Sequence, residues 1–468
     1  MQTTWDISYK MSESFLEVID ILLKSKEDKL AINLVKFLEN RSSTTTQFDI
    51  LAKAVFDGKR YSESLELCEK ALSLAESVEE IISIRTNMVK IYTKLNHPEK
   101  ALEQLTILQN IAPPTFDLLA ANSFAHYLNN EKHKAEEILL QLLTLDLSEK
   151  DRTSVKFNLG TYKMMRGEFL SGLHDFLIEG KNMGLWHNAG SIFSNKIMST
   201  IEKIQNDNGL IPWDGSIQES IQNKKFVVLA EAGIGDEIIN IRFLNKLKSM
   251  GFDPYWYQIP GDNRTSLSDM FRRNGFNVIE SLVGFEGSIY SQSMHLPLLM
   301  KLDPSELWDG PYLFSEPRKD INSNKLKIAI RWQGNTEYEE DLHRSVDLNL
   351  LLNTLDSPVV EIHSIQRDIN YKIPSQVIDH RNEMRTWDDT LSIIQACDVV
   401  VTTCTSVAHA SAAMGKKTYV FVPISSYYVW CHPTEKSPWY GDHVTLLRQV
   451  SPRSWTEPLR KLKNELQI

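Results

Sequence analysis

Three short stretches carry residue types that could handle an activated phosphate. The first runs from Ala396 to Pro423, A-C-D-V-V-V-T-T-C-T-S-V-A-H-A-S-A-A-M-G-K-K-T-Y-V-F-V-P. Its hydroxyls, Thr405 and Ser406, fall in a turn before an alanine-rich helical stretch, and His409 follows a turn further on. A helix start offers free N–H groups and a partial positive charge, which suits a phosphate or diphosphate. The second is His343-Arg344-Ser345, two potential cations and a hydroxyl on one loop, a composition that suits a diphosphate. The third is Glu231-Ala232-Gly233-Ile234-Gly235-Asp236, a two-glycine turn ending in a carboxylate. Asp236 could take a proton from an acceptor hydroxyl, with Glu231 and Glu237 as weaker choices for the same task. Each stretch also has a plain structural reading. Thr405 or Ser406 suffices as an N-cap, His409 as a packed interior residue, and Asp236 as a helix-start carboxylate matched to the dipole. The His343 triplet could be a solvated loop with a cap at Ser345 or Asp347.

The elements that must position these residues alternate between strand and helix. Asp398 to Thr403 is a β-branched run that predicts a buried strand. Val407 to Met414 predicts a short helix stopped by Gly415, and Thr418 to Val422 a second strand closed by Pro423. Upstream, Lys225–Ala230, Pro254–Gln258 and Asn277–Glu280 read as strands, with helices over Glu237–Met250 and Ser266–Asn274. Lys327–Trp332 and Val359–Ile365 are further strands, the latter ending at Gln366, and Trp387–Cys397 is an amphipathic helix. Such alternation implies parallel sheets, which bind ligands beyond the carboxyl ends of their strands. The E-A-G-I-G-D turn lacks the third glycine of the dinucleotide fingerprint, so no nicotinamide cofactor follows from it. After Pro423 a loop carries Tyr427, Tyr428, Trp430, His432, Trp439 and Tyr440; these aromatics suit stacking on a sugar or base and equally suit core packing. The tail from Ser451 to Ile468 predicts an amphipathic helix.

The first two hundred residues hold almost no strand signal. Small residues recur at Ala31, Ser64, Ala101, Ala135 and Gly172, with gaps of 33, 37, 34 and 37. Over residues 14–183 the pattern resembles a degenerate tetratricopeptide array, whose helix pairs repeat about every 34 residues. Such an array offers a concave face to a peptide, a partner protein or a neighbouring domain. The whole chain has 468 residues, 42% hydrophobic and 24% charged, enough for two or three ordinary globular domains. A net charge of -10 argues against a nonspecific nucleic-acid surface. Cys68, Cys397, Cys404 and Cys431 are spaced neither as a zinc site nor as a disulfide framework, which favours a reducing compartment. The start shows no signal-peptide pattern and no apolar run reaches membrane-spanning length, so a soluble, cytoplasmic protein is expected.

Taken in order, the chain carries G-x-G-D, R-W-Q-G-N, H-R-S, the A-C-D-V-V-V-T-x-x-T-S-V-A-H-A-S-A-A-M-G-K stretch and S-P-W-Y-x-x-x-x-L-L-R-Q. Over residues 225–450 this resembles the bacterial tetratricopeptide-linked glycosyltransferases, relatives of the heptosyltransferases and, more distantly, of O-GlcNAc transferase. The resemblance implies an α plus α/β chain: a helical-repeat domain over 1–200, then a GT-B fold of two Rossmann-like halves. The acceptor half would span 201–320 and the nucleotide-sugar donor half 321–468. It also implies metal-independent, inverting transfer from a nucleotide-sugar, with no cofactor beyond that co-substrate. Carried over to this sequence, Asp236 and His409 would be the catalytic pair. Gly235, Asn335, His343, Arg344, Gln366, Thr405, Ser406, Trp439 and Tyr440 would surround the donor. Protein, glycan or lipid-linked acceptors, recruited by the array, are the partners implied, and self-association is left open. One position departs: relatives usually carry aspartate where this chain has Cys404, which leaves a non-catalytic repeat scaffold with a degenerate sugar-nucleotide domain as the alternative.

Overall fold

Helical hairpins come first, and each of the four described ones places a small residue where its two helices cross. The structure is a computed structural model that describes residues 28–39, 44–180, 209–216, 224–259, 264–335 and 341–468, with positions 18, 21, 22 and 207 besides. Most of residues 184–223, which lead from the helical stretch to the first strand, lies outside the described residues, as do residues 336–340 of the loop before His343 and the side chain of Ala31. The chain divides into two compact units, Met1–Leu145 and Asp146–Ile468. The division by compactness thus falls well before residue 200.

In the first unit, α1 (Asp28–Glu39) precedes three hairpins: α2 (Thr45–Asp57) with α3 (Tyr61–Leu74), α4 (Val78–Lys94) with α5 (Pro98–Ile111), and α6 (Phe116–Leu128) with α7 (Lys132–Leu142). Thr44, Ser77 and Thr115 cap the first helix of each pair with a side-chain oxygen. Ser64, Ala101 and Ala135 are fully buried at the crossings. There the Ser64 hydroxyl donates to the Ala52 carbonyl (2.7 Å), and the Ser123 hydroxyl donates to that of Ala135 (2.8 Å). Each hairpin turn uses one left-handed residue, Lys59, Asn96 and Asn130, always five positions before the small one.

The second unit opens with a fourth hairpin, α8 (Glu149–Met165) and α9 (Phe169–His174), the latter running into a wider π turn over Asp175–Glu179. Gly167 is its left-handed residue (φ +88°). A Cβ on Gly172 would lie 2.6 Å from the Gly160 carbonyl oxygen, so only glycine permits this crossing.

Two parallel sheets follow. The first contains β1 (Ile211–Pro212), β2 (Lys225–Leu229), β3 (Asp253–Tyr257), β4 (Val278–Ile279) and β5 (Ile289–Gln292), in the order β1-β5-β2-β3-β4. The helices α10 (Ile234–Asn240), α11 (Phe243–Ser249), α12 (Arg264–Arg273) and α13 (Leu296–Leu299) connect and flank it. The single helix expected over 237–250 is broken at Ile241-Arg242, where the Arg242 Nε–H turns back to the Ile239 carbonyl (2.7 Å). The second sheet has the order β11-β12-β10-β9-β6-β7-β8, from β6 (Leu326–Arg331), β7 (Val360–Ser364), β8 (Val377–Asp379), β9 (Val399–Thr403), β10 (Lys417–Val422), β11 (Lys436–Ser437) and β12 (Gly441–Arg448). Only the β11–β12 pair is antiparallel. Its helices are α14 (Asp341–Arg344), α15 (Leu348–Leu355), α16 (Trp387–Ala396), α17 (Ser406–Ala413) and α18 (Thr456–Leu466).

Strand order reverses once at the centre of each sheet. The chain leaves β2 for β3 on one side and returns to its other side as β5; it leaves β6 for β7 and returns as β9. Ligand crevices of open parallel sheets lie at such reversals, beyond the carboxyl ends of the strands. Both halves share one apolar core with the fourth hairpin. Phe169, Leu173 and Phe176 are buried with Phe226, Ile238 and Phe243 of the first half and with Ala408, Trp430 and Trp439 of the second. No described helix is long and apolar enough to cross a membrane.

Candidate functional site

At the first reversal, β2 ends in a turn through Ala232, held at φ +61°, and α10 begins at Ile234. The Gly233 N–H donates to Asp236 Oδ2 (3.0 Å), so the carboxylate closes the first turn of its own helix. Its Oδ1 accepts the Tyr427 hydroxyl of the second half (2.9 Å). Burial pushes the Asp236 carboxyl up to about 6, against the lowering pull of Tyr427, the Gly233 N–H and the Arg264 guanidinium. Glu237 is buried in an ion pair with Arg264, which also donates to the Ala232 carbonyl (3.3 Å). Glu231 Oε1 accepts the Met294 N–H (2.8 Å), tying the end of β2 to the segment after β5. Of the three acids in this turn, Asp236 is the one left half-buried at the meeting of the halves.

At the second reversal, α17 starts at Ser406 just past β9. Thr405 is its N-cap residue in extended geometry, yet its hydroxyl makes no cap bond; it lies instead against the Thr402 hydroxyl (3.3 Å). Arg344 reaches this turn. Its Nη1–H donates to the Cys404 carbonyl (2.8 Å) and its Nε–H to Asp341 Oδ1 (2.9 Å), which also accepts the Gly334 N–H (3.0 Å). A side chain at Gly334 would collide with that guanidinium. Gln366 is fully buried beyond β7; its Oε1 accepts the Gln333 N–H (3.2 Å), while its Nε2 meets no acceptor among the described residues. Asn335 is exposed in the loop after β6. The structure therefore places Arg344 against the turn of Thr405 and Ser406 at the start of α17, and Gln366 buried beyond β7 against Gln333. His343 is likewise buried.

Three expected site residues belong to the interior. His409 is 5% exposed, stacked on Trp430 (ring centroids 5.0 Å apart, planes 8° from parallel), with its Nδ1 on the Tyr440 hydroxyl (2.8 Å). Burial, with the Arg242 charge nearby, drives its imidazole down to about 3, so it is neutral and supplies no charge to a phosphate. Trp439 packs edge-on against Phe169 (5.9 Å) and Tyr428 (5.8 Å). Tyr440 is covered by the Arg242 guanidinium (4.6 Å). Stacking of Trp439 or Tyr440 on a sugar or base is thereby corrected to core packing, and His409 to a wall of the interface. Its ring faces Gly235: a Cβ there would be 2.9 Å from His409 Cδ2 and 3.6 Å from Ser406 Cα. Gly235 thus brings α10 down on α17 and faces the tip of that helix.

Cys404 is buried beside this tip, its sulfur accepting the Trp430 Nε1–H (2.8 Å). Burial pushes the thiol up to about 11, so it is neither a thiolate nor a nucleophile. Among the described residues no three His, Cys, Asp or Glu side chains converge as metal ligands would. Tyr427, Arg242 and Phe176 are the contributors that residue types alone did not single out. Tyr427 stood in the aromatic loop already noted, but nothing in the sequence pairs it with Asp236.

No family model matches the chain, and no curated protein sequence matches it either. Among solved structures, the iron-containing dodecameric glycosyltransferase TibC of enterotoxigenic E. coli is similar at 11% identity, over 53% of this chain and 79% of that one, with a TM-score of 0.38. A glycosyl transferase family 9 protein of Veillonella parvula shares 11% identity over 53% of this chain and 93% of its own, at a TM-score of 0.35. Haemophilus influenzae LpoA aligns over 83% of this chain and 77% of its own at 9% identity and a TM-score of 0.25. The first two neighbours are glycosyltransferases; at these scores none of the three likenesses decides what this chain does.

Proposed function

We propose that the chain is a glycosyltransferase of GT-B type, moving a sugar from a nucleotide-sugar to a hydroxyl acceptor with inversion and without a metal. The observation that carries this reading is one juxtaposition. The tip of α17, with no side-chain cap and with Arg344 fixed on the turn before it, lies at the sheet reversal beneath Gly235, and Asp236 follows on the opposing half. A diphosphate would accept the first N–H groups of α17 and a bond from Arg344, and the unmatched Gln366 amide would face the nucleotide. Asp236 would take the acceptor proton as the acceptor oxygen bonds to the anomeric carbon. The carbon–phosphate oxygen bond breaks on the opposite face, and the charge gathers on the leaving diphosphate, where fixed donors stabilise it. In this reading the recurring hairpins are a tetratricopeptide array that recruits a protein, glycan or lipid-linked acceptor.

The alternative is a repeat scaffold whose sugar-nucleotide domain has lost its chemistry. One observation favours it: Gly235 already rests on His409 and the Asp236 carboxylate already holds Tyr427, so the halves touch where a sugar would need room. Release of nucleoside diphosphate from UDP-, GDP- and ADP-sugars separates the two. The transferase releases it from at least one donor, and Asp236→Asn abolishes release. A scaffold releases none and shows no thermal shift with any of them.

A further inference from the structure

Asp236 has two oxygens with different duties. Oδ2 is tied to its own helix start by the Gly233 N–H, which fixes the orientation of the carboxyl plane. Oδ1 faces the second half, and there it takes the phenol of Tyr427 at 2.9 Å. The charged and titratable groups around this carboxyl come from several elements. Arg264 lies on α12, Glu231 and Glu237 on the same turn and helix, Cys404 before α17, and Tyr428 beside Tyr427. Arg264 is already paired with Glu237. The Cys404 thiol and the Tyr428 phenol are both buried and neutral, the latter held well above its ordinary value by burial. Among the described residues, Tyr427 is the group of the second half seen donating directly to the Asp236 carboxylate.

The Tyr427 ring is itself placed by the fourth helical hairpin. Phe176, from the π turn after α9, meets it edge-on (6.4 Å, 81°) and stacks on Tyr428 (5.2 Å, 28°). Tyr427 and Tyr428 are perpendicular neighbours (4.7 Å, 72°), and Phe157 of α8 backs Phe176 (5.0 Å). A chain of rings thus runs from the hairpin to the carboxylate.

We propose that Tyr427 is a positioning residue for the base: it aims Asp236 Oδ1 and favours its ionised form, with the fourth hairpin holding the phenol in place. The inference rests on the glycosyl-transfer reading for its meaning, though not for its geometry. A hydrogen bond donated to a carboxylate stabilises the charge, and here it works against the burial that disfavours it. Tyr427→Phe keeps the ring and its contacts and removes only the donor.

The test is titration of Asp236 in the full chain, read from side-chain 13C shifts of labelled aspartate, with Asp236→Asn assigning the signal. Tyr427→Phe raises the midpoint by about one pH unit while the protein stays folded. In a donor-hydrolysis assay the acid limb of kcat/KM moves up by the same amount. An Asp236 midpoint that is the same in Tyr427→Phe as in the wild type overturns the proposal. If the midpoint moves but Asp236→Asn turns over donor as fast as the wild type, the transfer role of Asp236 falls while its tuning by Tyr427 stands.

Discussion

Replacing Gly235 by alanine puts a methyl carbon 2.9 Å from His409 Cδ2. The backbone itself accepts the change, since Gly235 is not among the residues of positive φ, and within a helix alanine gains up to about 1 kcal/mol over glycine. The ring is what resists. It is pinned by the Tyr440 hydroxyl (2.8 Å) and by the Trp430 face (5.0 Å), so it cannot step back. Forcing a methyl group into such a contact costs about 1–3 kcal/mol. With a ring this confined the upper part of that range applies, and the net loss is about 1–2 kcal/mol. His409→Ala alone opens a cavity and costs about 2–4 kcal/mol, but in that background the added methyl meets no ring and Gly235→Ala becomes neutral or stabilising. The two substitutions therefore couple by about 2 kcal/mol in a double-mutant cycle. Urea unfolding followed by tryptophan fluorescence reads this directly, because every tryptophan except Trp5 lies beyond residue 145. A coupling below about 0.5 kcal/mol, the additive limit for independent sites, would refute the apposition of α10 and α17 on which the site is built.

Acid response is the next test. His409 is held at about 3, below the unfolded value, so its contribution is present above about 6.5 and is lost as pH falls, at about 1.4 kcal/mol per unit. Asp236 is raised from 3.8 to about 6, so its contribution is present below 3.8 and lost as pH rises through 6. The two oppose one another between about pH 6 and pH 4. Asp236→Asn should therefore steepen the acid loss of stability there by up to about 1.4 kcal/mol per unit; identical slopes in the two proteins contradict it. Removing residues 1–145 leaves a folded remainder, whereas removing residues 1–180 strips Phe169, Leu173 and Phe176 from the shared core, each worth about 2–5 kcal/mol. Calorimetry of the two truncations checks this, and equal midpoints count against it. Thr405→Ala leaves nucleoside diphosphate affinity within about threefold, because only the backbone of that turn is asked to bind; a hundredfold loss would give the hydroxyl the role assigned to the N–H groups.

Periodicity made much of the fold legible. The alternating apolar runs located β2, β3, β6, β7, β9 and β10 within a residue or two, and the small-residue spacing located the hairpin crossings from Ser64 to Gly172. Strands β1, β5, β8, β11 and β12 were not anticipated. The first three are only two to four residues long. In β12, G-D-H-V-T-L-L-R opens with polar residues, and pairing with β10 rather than its own pattern makes it a strand. Strand ends were legible too: the Val359–Ile365 run put Gln366 just past β7, and the Asp398–Thr403 run put Thr405 and Ser406 at the start of α17. His409, Trp439 and Tyr440 were not placed by residue type, since an aromatic or imidazole group reads the same beside a ligand as in a core. Their burial follows from the close approach of the two halves at Gly235 and from the Phe169 hairpin filling the remaining space. The pairing of Asp236 with Tyr427 spans 191 positions, a separation over which no local pattern operates.

Isothermal titration of UDP-, GDP- and ADP-sugars into the wild-type chain, Arg344→Ala and Asp236→Asn tests the account most directly. It predicts that at least one donor binds, that Arg344→Ala weakens it about tenfold to a hundredfold, as loss of one charge-assisted bond requires, and that Asp236→Asn binds it as well as the wild type. Binding of none of the donors, or binding indifferent to Arg344, would contradict a diphosphate held at the tip of α17.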